Sequence, residues 1–134
     1  MAGVRRFRDL VAYQRGRSLA GAVRAFARSL PREERYELVS QMLRAAQSVP
    51  LNIAEGFGIG TRAGTLRHLR IARGSLCETD AAIELACDAG FGPAPDDLLE
   101  LLAETQRVLQ GLIRSLEAER VGAEPIGRSG GEQA

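Results

Sequence analysis

Side chains able to do acid–base, nucleophilic or metal chemistry are few in this chain. It has one histidine, His68, and two cysteines, Cys77 and Cys87. The histidine lies in a basic stretch with helical character and reads as a surface residue. The cysteines fall in one predicted helix, ten positions apart. That is about 15 Å of helical rise, too far for a bridge between them, so both read as buried thiols. No histidine accompanies them at metal-ligand spacing. Glu100 and Glu104 lack the Glu-x-x-His partners of a di-iron bundle. Gly56-Phe57-Gly58-Ile59-Gly60 is glycine-rich, but it follows a helix and lacks the lysine of a phosphate-binding loop. These residues predict a protein that is not an enzyme and carries no metal or cofactor. The only acid–base candidates left are Glu55, Glu78 and Arg44.

Two constellations could instead bind or organise. Gln41, Arg44, Ser48, Asn52 and Glu55 are spaced 3, 4, 4 and 3, which lays them along one side of a helix. With Ser75 and Glu78 of the next helix they predict a buried polar network that sets helix register. Pro50, inside the same helix, has no N–H to offer the carbonyl of Ala46. It predicts a kink, with Ser48 and Asn52 as candidates to satisfy that carbonyl. The second constellation is arginine. Residues 1–75 hold fourteen Arg against five acids, a net of +9; residues 76–134 hold four Arg against twelve acids, a net of −8. Lysine is absent and the whole chain is only +1. Arg5, Arg6, Arg8, Arg67 and Arg70 are candidate phosphate contacts for RNA or DNA. The same asymmetry also suits two halves that face each other, within one chain or between subunits. Aromatic residues make up only 4%, so base stacking is not supported.

The elements that must position these residues are helical. The chain of 134 residues is 45% hydrophobic, enough for one core, and that core is mostly Ala and Leu, which favour helix. Four periodic segments stand out. The first spans about Asp9 to Leu30, with Asp9 as N-cap and Tyr13, Leu19, Val23, Phe26 and Leu30 on its apolar side. The second, after Pro31, spans about Arg32 to Phe57, with Leu38, Met42, Ala46, Val49, Ile53 and Phe57. The third spans about Arg62 to Ala89, capped by Thr61 and closed by Gly90. It carries Leu66, Leu69, Ala72, Leu76, Thr79, Ile83 and Ala86, and Gly74 is expected at a close helix contact. The fourth is capped by Asp96 and carries Leu98, Leu101, Leu102, Thr105, Leu109, Leu112 and Leu116. Short connections make neighbours antiparallel. The fold class predicted is all-α: an antiparallel up-down four-helix bundle over residues 1–120, with a disordered tail over 121–134. No stretch has the roughly 18 apolar residues of a membrane span, and no secretory signal is evident. Cytoplasm is the expected compartment, with no membrane partner.

With these residues in hand, the chain resembles the bacterial four-helix-bundle proteins encoded in intervening sequences of 23S rRNA genes. The resemblance rests on Phe7-Arg8-Asp9-Leu10 with Tyr13-Gln14, on Gln41 to Ala46, on Ser48 to Gly58, and on Leu69 to Glu78. It covers about residues 7–116. It implies homo-oligomers, with pentameric rings as the leading form, and brings no catalytic residues. A more distant resemblance, to the accessory protein of diversity-generating retroelements, implies nucleic-acid binding and partnership with a reverse transcriptase. That relative is a basic barrel, whereas this chain is nearly neutral and its second half is acidic. The expected function is a non-enzymatic oligomeric scaffold; the alternative is a nucleic-acid-binding accessory factor.

Overall fold

The computed structural model describes residues 3–123 of the chain. It contains four long helices and, among the described residues, no strand: α1 (Val11–Arg28), α2 (Ser40–Ile59), α3 (Arg62–Ala86) and α4 (Asp96–Ala123). In an up-down-up-down bundle, α2 packs on α1 and α3, and α4 closes the ring by packing on both α1 and α3. Residues 121–123, expected in the tail, belong to α4; the remainder of the predicted tail lies outside the described residues. None of the described helices is long and apolar enough to cross a membrane.

Local chemistry sets the helix ends. The chain enters through a 3-10 turn, Phe7–Asp9. The Asp9 carboxylate accepts from the backbone N–H of Arg6 at 3.1 Å and of Arg5 at 3.4 Å. Asp9 thus caps this turn rather than α1, whose N-cap is the buried Leu10. After Pro31 the chain does not enter α2 directly. A 3-10 turn (Arg32–Glu34) and a five-residue π-helical turn (Arg35–Val39) come first, because the N–H of Glu34 closes a tight turn back to the Pro31 carbonyl at 3.0 Å. α2 carries Pro50 as an internal residue and ends on Gly60, whose φ of 86° is left-handed. Thr61 caps α3 as expected, its Oγ1 accepting from the Gly64 N–H at 3.1 Å. α3 gives way at Cys87 to a π-helical turn closed by Gly90 at φ 94°, and α4 begins at Asp96 itself, the residue expected as its cap.

The apolar stripes meet as their periodicity requires. Leu19, Met42, Val49, Ile53, Leu66, Leu69, Leu76, Leu98 and Leu109 are within 1–2% of full burial, each contributing about 1.5–3 kcal/mol. Ile113 joins them, while Leu101 and Leu112 of the predicted α4 stripe, like Tyr13, Leu38 and Phe57, only border the core. At the α1–α2 crossing, Gly16 lets the two helices approach closely. A Cβ there would stand 3.2 Å from Val49 Cγ1 and 3.5 Å from the Pro50 nitrogen, so the buried proline is pressed against the neighbouring helix.

Candidate functional site

The α2–α3 seam holds the polar residues. Along α3, Thr65, His68, Ala72, Ser75, Thr79, Ala82 and Ala86 follow steps of 3 and 4, and all are buried. These small or polar side chains permit a close approach. At Gly56 of α2, a Cβ would fall 2.9 Å from His68 Cβ and 3.2 Å from the Thr65 carbonyl oxygen. Ser48 Oγ is the hub of a short network. It accepts from Ser75 Oγ at 2.7 Å and from Asn52 Nδ2 at 2.9 Å, and the same Asn52 amide donates to the Ser48 carbonyl at 2.9 Å. Thr65 Oγ1 donates across the seam to the Gly56 carbonyl at 2.8 Å, and Thr79 Oγ1 donates to the Ser75 carbonyl at 2.8 Å.

The hydrogen-bonded group is therefore shorter than the predicted network, and its bonds are part-buried rather than buried. Ser48, Asn52 and Ser75 are joined. Gln41, Arg44, Glu55 and Glu78 are exposed instead, because their positions on α2 and α3 rotate past the seam toward solvent. Arg44 reaches only back to Ser40 Oγ at 3.5 Å, and it shares with Gln41 an open cleft bordered by Tyr36, Glu37 and Leu38. Asn52 serves the Ser48 carbonyl rather than that of Ala46, the group Pro50 frees. His68 is only 7% exposed, a correction to its reading as a surface residue. Its Nε2 lies 3.4 Å from Glu55 Oε2 and its Nδ1 3.2 Å from the Gly64 carbonyl. The signal that could have found Thr65 and His68 was the second 3-4 stripe on α3, which runs one residue ahead of the leucine stripe and shares Ala72, Thr79 and Ala86 with it. Cys77, expected to be buried, is exposed, and Cys87 is half-buried. Gly74 makes no close contact, since a Cβ built there meets nothing within 4 Å; the close crossings belong to Gly16 and Gly56.

The charge asymmetry is answered partly within the chain. Arg15 Nε lies 2.6 Å from Glu104 Oε2, and Arg70 Nη2 lies 2.7 Å from Glu117 Oε2. Arg73 donates to Gln110 Oε1 at 3.1 Å. Basic residues of α1 and α3 thus flank the acidic α4. Both ion pairs are more than a third exposed, so each contributes little stability. Arg70, a candidate phosphate contact, is engaged in this way. Arg5, Arg6, Arg8 and Arg67 are exposed and form no ion pair among the described residues. The up-down topology brings all four to the same end of the bundle, but α1 and α3 occupy opposite corners of it.

Outside the seam, α3 carries a further stripe. Arg67, Ile71, Gly74, Glu78, Ala81 and Leu85 step by 4, 3, 4, 3 and 4, and every one is exposed. Ile71 is 41% and Leu85 57% exposed, and Leu51 on the outer side of α2 is 65% exposed. The Ser48–Ser75 contact and the antiparallel course of the two helices place Leu51 level with Ile71.

The described residues thus form an all-α four-helix bundle with a polar α2–α3 seam and an exposed stripe on the outer side of α3. The sequence model of the 23S rRNA-intervening sequence protein family matches residues 8–114, and the chain belongs to that family. Comparison with curated proteins gives no match.

Proposed function

We propose that this chain is a non-enzymatic scaffold that associates with copies of itself through the outer face of α2 and α3. The observation that carries this reading is the stripe from Arg67 to Leu85. Its spacing is that of a coiled-coil seam, and its apolar members Ile71 and Leu85, with Leu51 beside them, face water in the single chain. Apolar groups grouped on one face favour a protein partner. A second copy suits the face because it carries both signs, Arg44 and Arg67 against Glu55 and Glu78, and the chain as a whole is only +1. Small residues at Gly74 and Ala81 leave room for a helix to approach. A ring, five-membered as the family resemblance implies, joins this face to a different patch of the next copy. A cytoplasmic setting belongs to the same reading.

Light scattering after gel filtration tests it. The expected mass is a multiple of 14.4 kDa, falling to one chain in the L51E/I71E double variant while helicity is retained. A wild-type protein that runs as a monomer at tens of micromolar overturns the proposal, as does a double variant of unchanged mass.

The second reading is a nucleic-acid-binding accessory factor, in which a reverse transcriptase is the implied protein partner. It is supported by exposed Arg5, Arg6, Arg8 and Arg67, which form no ion pair among the described residues. It requires RNA or DNA binding that weakens steeply with salt.

A further inference from the structure

The start of α1 and the turn before it enclose an open cleft of about 410 Å³, lined by Arg8, Tyr13, Gln14, Arg17 and Ser18. Two guanidinium groups and two hydroxyls border it, and no carboxylate does. The nearest acid in sequence, Asp9, is occupied in capping the backbone N–H groups of Arg5 and Arg6. Neither Arg8 nor Arg17 forms an ion pair among the described residues, unlike Arg15 between them, which turns to Glu104.

Arg8 is also held in place before any ligand arrives. Its guanidinium carbon sits 4.5 Å from the centroid of the Phe7 ring, a cation–π distance. Phe7 is in turn fixed edge-on by Tyr13, with ring centroids 4.9 Å apart. The Arg8 carbonyl accepts from Gln14 Nε2 at 2.9 Å, and buried Leu10 anchors the turn to the core. Each residue of Phe7-Arg8-Asp9-Leu10 with Tyr13-Gln14 therefore has a part in presenting one arginine. Guanidinium groups recognise phosphate oxygens in pairs of directed hydrogen bonds.

We infer that this cleft is a phosphate-binding site, in which Arg8 and Arg17 grip the anion from two sides and Ser18 and Tyr13 supply hydroxyl donors. The site does not depend on self-association through α2 and α3, which uses other helices. Its ligand is a phosphate group, carried on a nucleic-acid backbone or free in solution.

Fluorescence anisotropy on the full chain tests this, with a labelled single-stranded RNA of about 10 nucleotides and inorganic phosphate as competitor. The R8Q/R17Q variant is expected to weaken RNA binding about tenfold or more and to lower the salt slope by about 0.7, the share of the one single-strand phosphate the two arginines hold. The control is R24Q/R28Q, which removes the same charge from exposed positions further along α1; it should weaken binding less than threefold. F7L keeps the charge but removes the ring beneath Arg8, and should cost about two- to fivefold. Thermal melts followed by circular dichroism establish that the variants are folded. Displacement of RNA by inorganic phosphate at low millimolar concentration makes the free anion the ligand. Displacement by unlabelled RNA alone makes the backbone the ligand. Either upholds the cleft. Equal losses in R8Q/R17Q and R24Q/R28Q overturn it, because surface charge alone then accounts for binding, and so does failure of both probes to bind wild type.

Discussion

Replacing Gly56 with alanine tests the closeness of the α2–α3 seam, on which the polar network depends. Two effects oppose each other. Alanine inside a helix is favoured over glycine by about 1 kcal/mol. Against this, the new Cβ would stand 2.9 Å from His68 Cβ and 3.2 Å from the Thr65 carbonyl oxygen, where carbon atoms prefer about 3.5–4.0 Å. Neither neighbour is the tip of a flexible side chain, so the helices themselves must part. Overpacking of this kind costs about 1–3 kcal/mol. Stretching the 2.8 Å bond from Thr65 to the Gly56 carbonyl adds about 0.5–1.5 kcal/mol. The balance is a net loss of about 0.5–3.5 kcal/mol, or a fall in Tm of roughly 2–14 °C for a domain of this size. Gly21→Ala is the matched control. Its Cβ meets nothing within 4 Å, so it should gain up to about 1 kcal/mol. Urea denaturation followed at 222 nm, at one fixed protein concentration, measures both. Gly56→Ala as stable as wild type, or gaining alongside Gly21→Ala, would refute the close crossing.

Three further outcomes follow from the same geometry. A thiol reagent such as DTNB should react rapidly with exposed Cys77 and more slowly with half-buried Cys87; in C77S the fast phase should vanish, and its persistence would place Cys77 wrongly. Charge reversal of Arg70 should cost no more than about 1 kcal/mol, since its pairing with Glu117 is half-exposed, and R70E/E117R should recover that loss in denaturation curves. A double-mutant cycle between S48A and S75A should give a coupling of about 0.5–1.5 kcal/mol; additivity would mean that the 2.7 Å bond between them contributes nothing.

Helix number, helix faces and most of the core were legible in the linear pattern, because a 3.6-residue period of leucine, isoleucine and valine can be buried only as one face of a helix. The turn chemistry at Thr61 and Gly90 was equally local, as caps depend on a few consecutive residues. The candidate site was legible only in its centre. Ser48, Asn52 and Ser75 were recognisable as partners, but Gln41, Arg44, Glu55 and Glu78 share their spacing and still face water. A polar stripe two residues wide does not reveal which edge turns inward. His68 was misread for the same reason. Its arginine-rich neighbours suggested surface, whereas its burial depends on Gly56, twelve residues earlier and on another helix. Cys77 went wrong in the opposite sense, an apolar side chain on a face that no helix covers in the single chain.

What the sequence by itself determined is the set of local choices: four amphipathic helices, their caps, and the excess of arginine in the first half over acid in the second. Only the tertiary structure decided the pairings. Helix rotation and crossing distance select Gly16 and Gly56, not Gly74, as contact points. They send Arg15 and Arg70 to α4 while leaving Arg8 and Arg17 to line a cleft, because which charges meet depends on the packing of whole helices and not on the residues beside them in the chain.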